Sequence, residues 1–132
     1  MIRFTNLPIP PSVNNLFPSG KGGRRFPSPE YQTWKIWAGK ELQTKLIGRE
    51  KEIHGPVALS YMYEEGATKA DLGNLEKAVT DFLVAHRIID GDGPKVVKSI
   101  TLAWGSLPGL TIEVRRRDVI AKAALSQPEA SK

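Results

Sequence analysis

The chain contains no cysteine among its 132 residues. Disulfides, thiolate metal sites and cysteine nucleophiles are therefore excluded, and a reducing, intracellular setting fits. It also lacks any apolar run approaching the roughly 18 residues of a membrane span, and the opening Met1-Ile2-Arg3-Phe4-Thr5-Asn6-Leu7-Pro8 has no signal-like core. A soluble cytoplasmic protein with no membrane partner is expected. The chain is too short for two domains of usual size, so one domain is expected over residues 1–117, followed by a helical or frayed tail over 118–132.

What is present is charge, and it is segregated. The formal net charge is +5. Residues 1–52 carry nine Lys/Arg against four Asp/Glu, residues 53–94 three against seven, and residues 95–132 seven against three. An acidic middle between basic flanks is either an unevenly charged solvated surface or a site in which the flanks attract phosphates and the carboxylates hold a cation.

The elements follow from periodicity and punctuation. Residues 2–7 read as a strand, which Pro8-Ile9-Pro10-Pro11 cannot continue because proline removes ladder donors. A loop follows through Gly20-Lys21-Gly22-Gly23-Arg24-Arg25, suited to a phosphate backbone or simply a basic surface loop. Ser28-Pro29-Glu30 starts a helix: Ser as N-cap, Pro in the first turn, an early acid facing the dipole. Tyr31, Trp34, Trp37 or Ala38, Leu42 and Leu46 then recur at helical spacing as a core-packing stripe up to Gly48. Val57, Leu59, Tyr61 and Tyr63 alternate as one face of a second strand. From Asp71, Leu72, Leu75, Val79, Phe82 and Leu83 form the apolar stripe of a second helix, with Asn74, Lys77 and Asp81 opposite. The alternating stretches Val96–Trp104 and Leu110–Val114, joined by Gly105-Ser106-Leu107-Pro108-Gly109, predict an antiparallel hairpin. The fold class is α+β: a small mixed or antiparallel sheet flanked by two main helices, in the order β-α-β-α-β-β.

Hydrolysis of a phosphodiester at a magnesium site needs carboxylates from separate segments around one cation. Asp71 opens the second helix and Asp92 sits in the Gly-rich turn before the third strand. Lys77, on the polar side of that helix, could offer a proton or neutralise charge on a scissile phosphate. Each has a plainer role available: Asp71 as an N-cap, Asp92 as a turn former, Lys77 as the i,i+4 partner of Asp81.

The combination is similar to a known family. Leu7-Pro8-x-Pro10-Pro11-Ser12-x-Asn14, Asp71-Leu72-Gly73-Asn74-Leu75-x-Lys77-Ala78 and Ile88-Ile89-Asp90-Gly91-Asp92 resemble three motifs of the RusA-like Holliday junction resolvases, over about residues 5 to 115. The resemblance implies a magnesium-dependent endonuclease that cuts branched, four-way DNA as a homodimer in recombination and repair. It assigns Asp71 and Asp92 as metal ligands and Lys77 as the catalytic lysine. DNA contacts are expected from Asn14, Lys21, Arg24, Arg25, Lys69, Arg115, Arg116 and Arg117.

Two glycines depart from the motifs. Gly73 stands where the family has its second aspartate, and Gly91 where its second turn segment begins with one. Three explanations are open: Asp90, Glu64 or Glu65 compensates, with Asp90 as the added metal ligand; the chain binds junctions without cutting them; or the glycine is an introduced substitution. A more distant alternative is a general nucleic-acid or protein interaction module whose acidic cluster has no catalytic use.

Overall fold

The computed structural model describes residues 1–17, 27–46 and 52–117. The elements are β1 (Ile2–Leu7), α1 (Pro29–Lys45), β2 (Val57–Glu64), α2 (Glu76–Ala85), β3 (Val97–Gly105) and β4 (Leu110–Arg116), with single 3-10 turns at Val13–Asn15 and Leu72–Asn74. This is the expected α+β class and element order. The basic loop with Lys21, Arg24 and Arg25, and the tail from Asp118 onward, lie outside the described residues.

One mixed sheet runs β1-β4-β2-β3, with β2 antiparallel to β4 and parallel to β3. Side-chain alternation makes its helix-covered face a set of cross-strand rows: Ile2–Val114–Leu59–Ile100, Phe4–Ile112–Tyr61–Leu102 and Leu7–Leu110–Tyr63–Trp104. The rows are buried through β1, β4 and β2 and become half-buried on the edge strand β3. The other face carries Arg3, Glu113, Ser60 and Thr101 in a single row.

The expected hairpin is not formed. β3 and β4 are separated by β2, so the Gly105–Gly109 connection steps across the end of β2 instead of joining neighbours. Alternation identifies a strand but carries no information about its partner. The C-terminal end of β2 is held inside this crossover: the amides of Glu64 and Glu65 donate to the carbonyls of Gly109 and Gly105, and Glu64 Oε1 accepts from the Gly109 amide at 2.9 Å. Gly109 has φ 68°, and a side chain there would run into the Leu7 carbonyl oxygen, so this crossing requires glycine.

α1 begins as its sequence dictates, with Ser28 Oγ accepting from the Tyr31 amide at 3.0 Å. Of the two stripe alternatives, the structure buries Ala38 and leaves Trp37 56% exposed. Trp34 is buried, donates from Nε1 to the Pro8 carbonyl at 2.9 Å and packs on Phe82 of α2, joining the two helices to the proline loop. The second helix starts later than its apolar pattern suggests. Asp71 is extended, Leu72–Asn74 is a 3-10 turn, and α-helix begins at Glu76. Gly73 weakens helix at that point, while the stripe itself is satisfied because Leu75, Val79, Phe82 and Leu83 are all buried.

At the end of α2, His86 packs against the Phe82 ring and the Cα side of Gly39, and burial lowers its pKa below the ordinary 6.5. The folded chain therefore takes up a proton at His86 less readily than the unfolded chain, and this contribution to stability is present above about pH 6.5 and declines as pH falls. His54, whose pKa is raised, acts in the opposite sense over the same range. The difference between wild type and His86→Gln isolates the first effect: in urea unfolding, wild type loses more stability than His86→Gln between about pH 7.5 and about pH 5.5.

Candidate metal and nucleic-acid site

The first site segment is built on the central strand. Tyr63 donates from its hydroxyl to the Leu75 carbonyl at 3.1 Å, and the Tyr61 hydroxyl pairs with Thr80 Oγ1 at 2.7 Å. Thr80 Oγ1 in turn donates to the Glu76 carboxylate. Both tyrosines are essentially inaccessible, and burial raises their pKa values, so they remain neutral hydrogen-bonding groups. This network fixes the start of α2 and the 3-10 turn before it, which also touches β3.

Asp71 occupies the N-cap position of that turn without capping it: its side chain makes no cap hydrogen bond and is exposed. The plain role as an N-cap is therefore unfilled. Asp92 is also exposed, on the loop between the short Ile89 bridge and β3, and among the described residues no hydrogen bond or ion pair engages its carboxylate. Lys77 does take its plainer role, pairing with Asp81 across one turn at 3.3 Å with its side chain 52% exposed.

Asp71 lies beyond the C-terminal end of β2 and Asp92 before the N-terminal end of β3; since these strands are parallel, the two acids enter from opposite ends of the pair. Among the described residues no group of three or more His, Asp or Glu side chains is placed to hold a metal ion. The proposed compensating acids are mostly engaged elsewhere. Glu64 holds the crossover, and both oxygens of Asp90 are occupied, Oδ1 by His54 Nδ1 and Oδ2 by the Gly55 amide, each at 2.7 Å. The Gly55 N–H and the His54 bond depress the Asp90 pKa, and the Asp90 bond raises that of His54. Sequence reasoning missed His54 altogether. Its only signals were its rarity, as one of two histidines, and its place directly before Gly55-Pro56.

The donor set suits magnesium, which is commonly held by one or two carboxylates with water and substrate phosphate completing its shell. Asp71 and Asp92 each offer hard oxygens with no competing partner among the described residues, but they stand at opposite ends of the β2–β3 pair, so sharing one cation requires an acid from a second copy of the chain. Gly73 does not obstruct a third: its φ lies outside the left-handed range and a Cβ there meets nothing within 4 Å.

Of the expected DNA contacts, Asn14 is exposed on the 3-10 turn that packs against α2, and Lys69 is exposed two residues before Asp71. The arginine cluster is divided by strand alternation. Arg115 points to the helix-free face and meets Glu113 at 3.3 Å, Arg116 lies in register with Val57, and the Arg117 amide is bonded to the Pro56 carbonyl. The arginines thus stand at the end of β2 that also carries Gly55.

The family model described as endodeoxyribonuclease RusA matches residues 8–115. The chain belongs to the RusA family. No curated protein matches it. Membership implies an endodeoxyribonuclease acting on Holliday junctions, and RusA nucleases are generally metal-dependent. Among the described residues, no helix is long and apolar enough to cross a membrane.

Because neither acid carries a structural bond, Asp71→Asn and Asp92→Asn should each leave the urea-unfolding free energy within about 0.5 kcal/mol of wild type. A loss above about 1.5 kcal/mol would show that the carboxylate is a structural cap or turn lock.

Proposed function

We propose that this chain is a magnesium-dependent, homodimeric resolvase that cuts four-way DNA junctions by paired nicks, with Asp71 and Asp92 as metal ligands. The observation that carries the reading is the Asp71 carboxylate, which stands at an N-cap position, exposed, and makes no cap bond. A bound magnesium ion would supply Lewis-acid activation of the phosphate and of a water molecule. Hydrolysis forms a bond from a water oxygen to phosphorus and breaks the bond from phosphorus to the 3′ or 5′ oxygen, which leaves with a proton. In this reading Lys77, half-exposed and paired with Asp81, exchanges that pairing for a phosphate oxygen when DNA arrives and steadies the charge that develops there. Two nicks related by the symmetry of a junction require two sites, and a two-fold dimer provides them. A second copy is also a source of further carboxylates, since one chain assembles no group of three among its described residues.

The second reading, a junction binder with impaired cleavage, is favoured by one specific observation: Gly73 leaves the turn after Asp71 without its second acid. Fewer carboxylates repel phosphate less, so binding survives where cleavage does not.

One assay separates them. On a synthetic four-way junction with Mg²⁺, Gly73→Asp should raise cleavage; in that background Asp71→Asn and Asp92→Asn should abolish it, and Lys77→Ala should lower it about 100-fold or more. Strong cleavage by the parent chain would show that no acid at position 73 is needed, because Asp71 and Asp92 suffice or because Glu65 or a second copy's carboxylate compensates. No gain from Gly73→Asp, in a protein that binds junctions, would establish the silent binder, and equal affinity for linear duplex would remove the junction reading.

The basic segments answer to a different measurement. Replacing Lys21, Arg24 and Arg25 together by alanine should weaken junction binding and reduce the slope of log affinity against log salt by about two to three. An unchanged slope would exclude that loop from the phosphate contacts.

A further inference from the structure

The loop that delivers Asp92 is anchored on both sides of it. Upstream, Ile53 and Ile89 form a parallel bridge, the Ile53 amide donates to the Ile88 carbonyl at 2.9 Å, and all three isoleucines are buried. The chain then surfaces at Asp90, whose carboxylate spans back to the segment before β2 through His54 Nδ1 and the Gly55 amide. His54 is itself oriented from its far side, its Nε2 lying 3.1 Å from Glu52 Oε1. Gly55 adopts φ 85°, a left-handed conformation that suits glycine. Downstream, the Gly93 carbonyl accepts from the amides of Val96 and Val97 at 3.0 and 2.9 Å, and the Val57 amide donates to the Val96 carbonyl at 2.8 Å. Asp92 therefore sits on a short span between a fixed residue 90 and a fixed residue 93.

We propose that Asp90 is a positioning residue, which with His54 and the Gly55 N–H locks the loop that presents Asp92. The inference rests on the reading of Asp92 as a metal ligand, and it reassigns Asp90 from an added ligand to a support for one. To ligate, the Asp90 carboxylate would have to share or surrender a short charge-assisted bond and slacken the loop on which its neighbour depends. As a clamp it removes freedom from the Asp92 backbone before a cation arrives, the role that outer groups commonly play around metal ligands. The asymmetry of the two oxygens is informative. The Gly55 bond joins Asp90 to backbone, while the His54 bond joins it to an exposed side chain that Glu52 steadies, so the first holds position and the second holds orientation.

The test uses the full chain in the Gly73→Asp background and follows both Mg²⁺ dependence and amide hydrogen exchange. Asp90→Ala should raise the Mg²⁺ concentration for half-maximal junction cleavage about tenfold, while turnover at saturating Mg²⁺ falls by no more than about threefold. His54→Ala should shift the Mg²⁺ requirement in the same direction by less, and His54→Gln, which keeps a donor for Asp90, should restore it. Exchange at Gly55 and Asp92 should quicken in Asp90→Ala without any metal present. Loss of turnover that saturating Mg²⁺ does not restore would make Asp90 a direct ligand and overturn the proposal, as would an unchanged Mg²⁺ requirement together with unchanged exchange. If the Gly73→Asp chain does not cut junctions either, the cleavage reading fails by itself. Exchange then decides the clamp: faster exchange from Gly55 to Asp92 in Asp90→Ala supports it, and unchanged exchange refutes it.

Discussion

The hydroxyls of Tyr61 and Tyr63 join the middle of the sheet to the start of α2, and the placement of Asp71 depends on that contact. Both rings come from the buried face of β2, one of the two strands with neighbours on each side, so they have little freedom of their own. Each finds a partner on α2 or at its entry: the Leu75 carbonyl and the Thr80 hydroxyl. A buried phenol without a partner costs about 1–3 kcal/mol. The same demand that satisfies the tyrosines therefore fixes the height of α2 over the sheet, and with it the turn carrying Asp71 and Gly73.

Much of the fold was legible because its local signals agree with its tertiary ones. The proline run after Leu7 ends β1 where the structure ends it, and Ser28-Pro29-Glu30 begins α1 at the expected residue. Disagreement came where local pattern and global pairing carry different information. The stretches forming β3 and β4 alternate correctly, yet their partner is β2, whose intrusion no periodicity can announce. Helical spacing allowed either Trp37 or Ala38 to face the core, and volume decides it: α1 lies close enough to its neighbours at that point to bury Ala38 completely. At the site, Asp71, Lys77 and Asp92 were visible as chemistry-bearing types in familiar spacing. The bonds occupying Asp90 and Glu64 were not, since each joins segments 35 or more residues apart.

The two glycines change the electrostatics of the family's acidic segments more than their shape. A Cβ at position 73 would meet open space and one at position 91 only the Val96 side chain at 4.0 Å, so neither glycine is demanded by packing. What they remove is negative charge beside Asp71 and Asp92. Each missing carboxylate lowers the repulsion that an approaching phosphate meets and weakens the attraction for a divalent cation, so affinity for DNA and capacity to act on it are pushed in opposite directions. His54, partnered by both Glu52 and Asp90, adds the only described histidine with carboxylates on both ring nitrogens.

The crossover between β3 and β4 also bears on how the chain acquires its shape. A hairpin can close from residues a few positions apart, whereas β3 pairs only with β2, more than thirty residues upstream of its start, and β4 pairs with β2 and β1, neither of them its neighbour in the chain. β1 is more remote still, since its partner β4 begins about a hundred residues later. Every pairing in the sheet is thus long-range, and each loop closure must be met before its hydrogen bonds repay it. Helices α1 and α2 can begin from local contacts, but the sheet consists of long-range pairings, a topology of the slow-folding kind, and the last strand in the chain is the one that binds both β1 and β2.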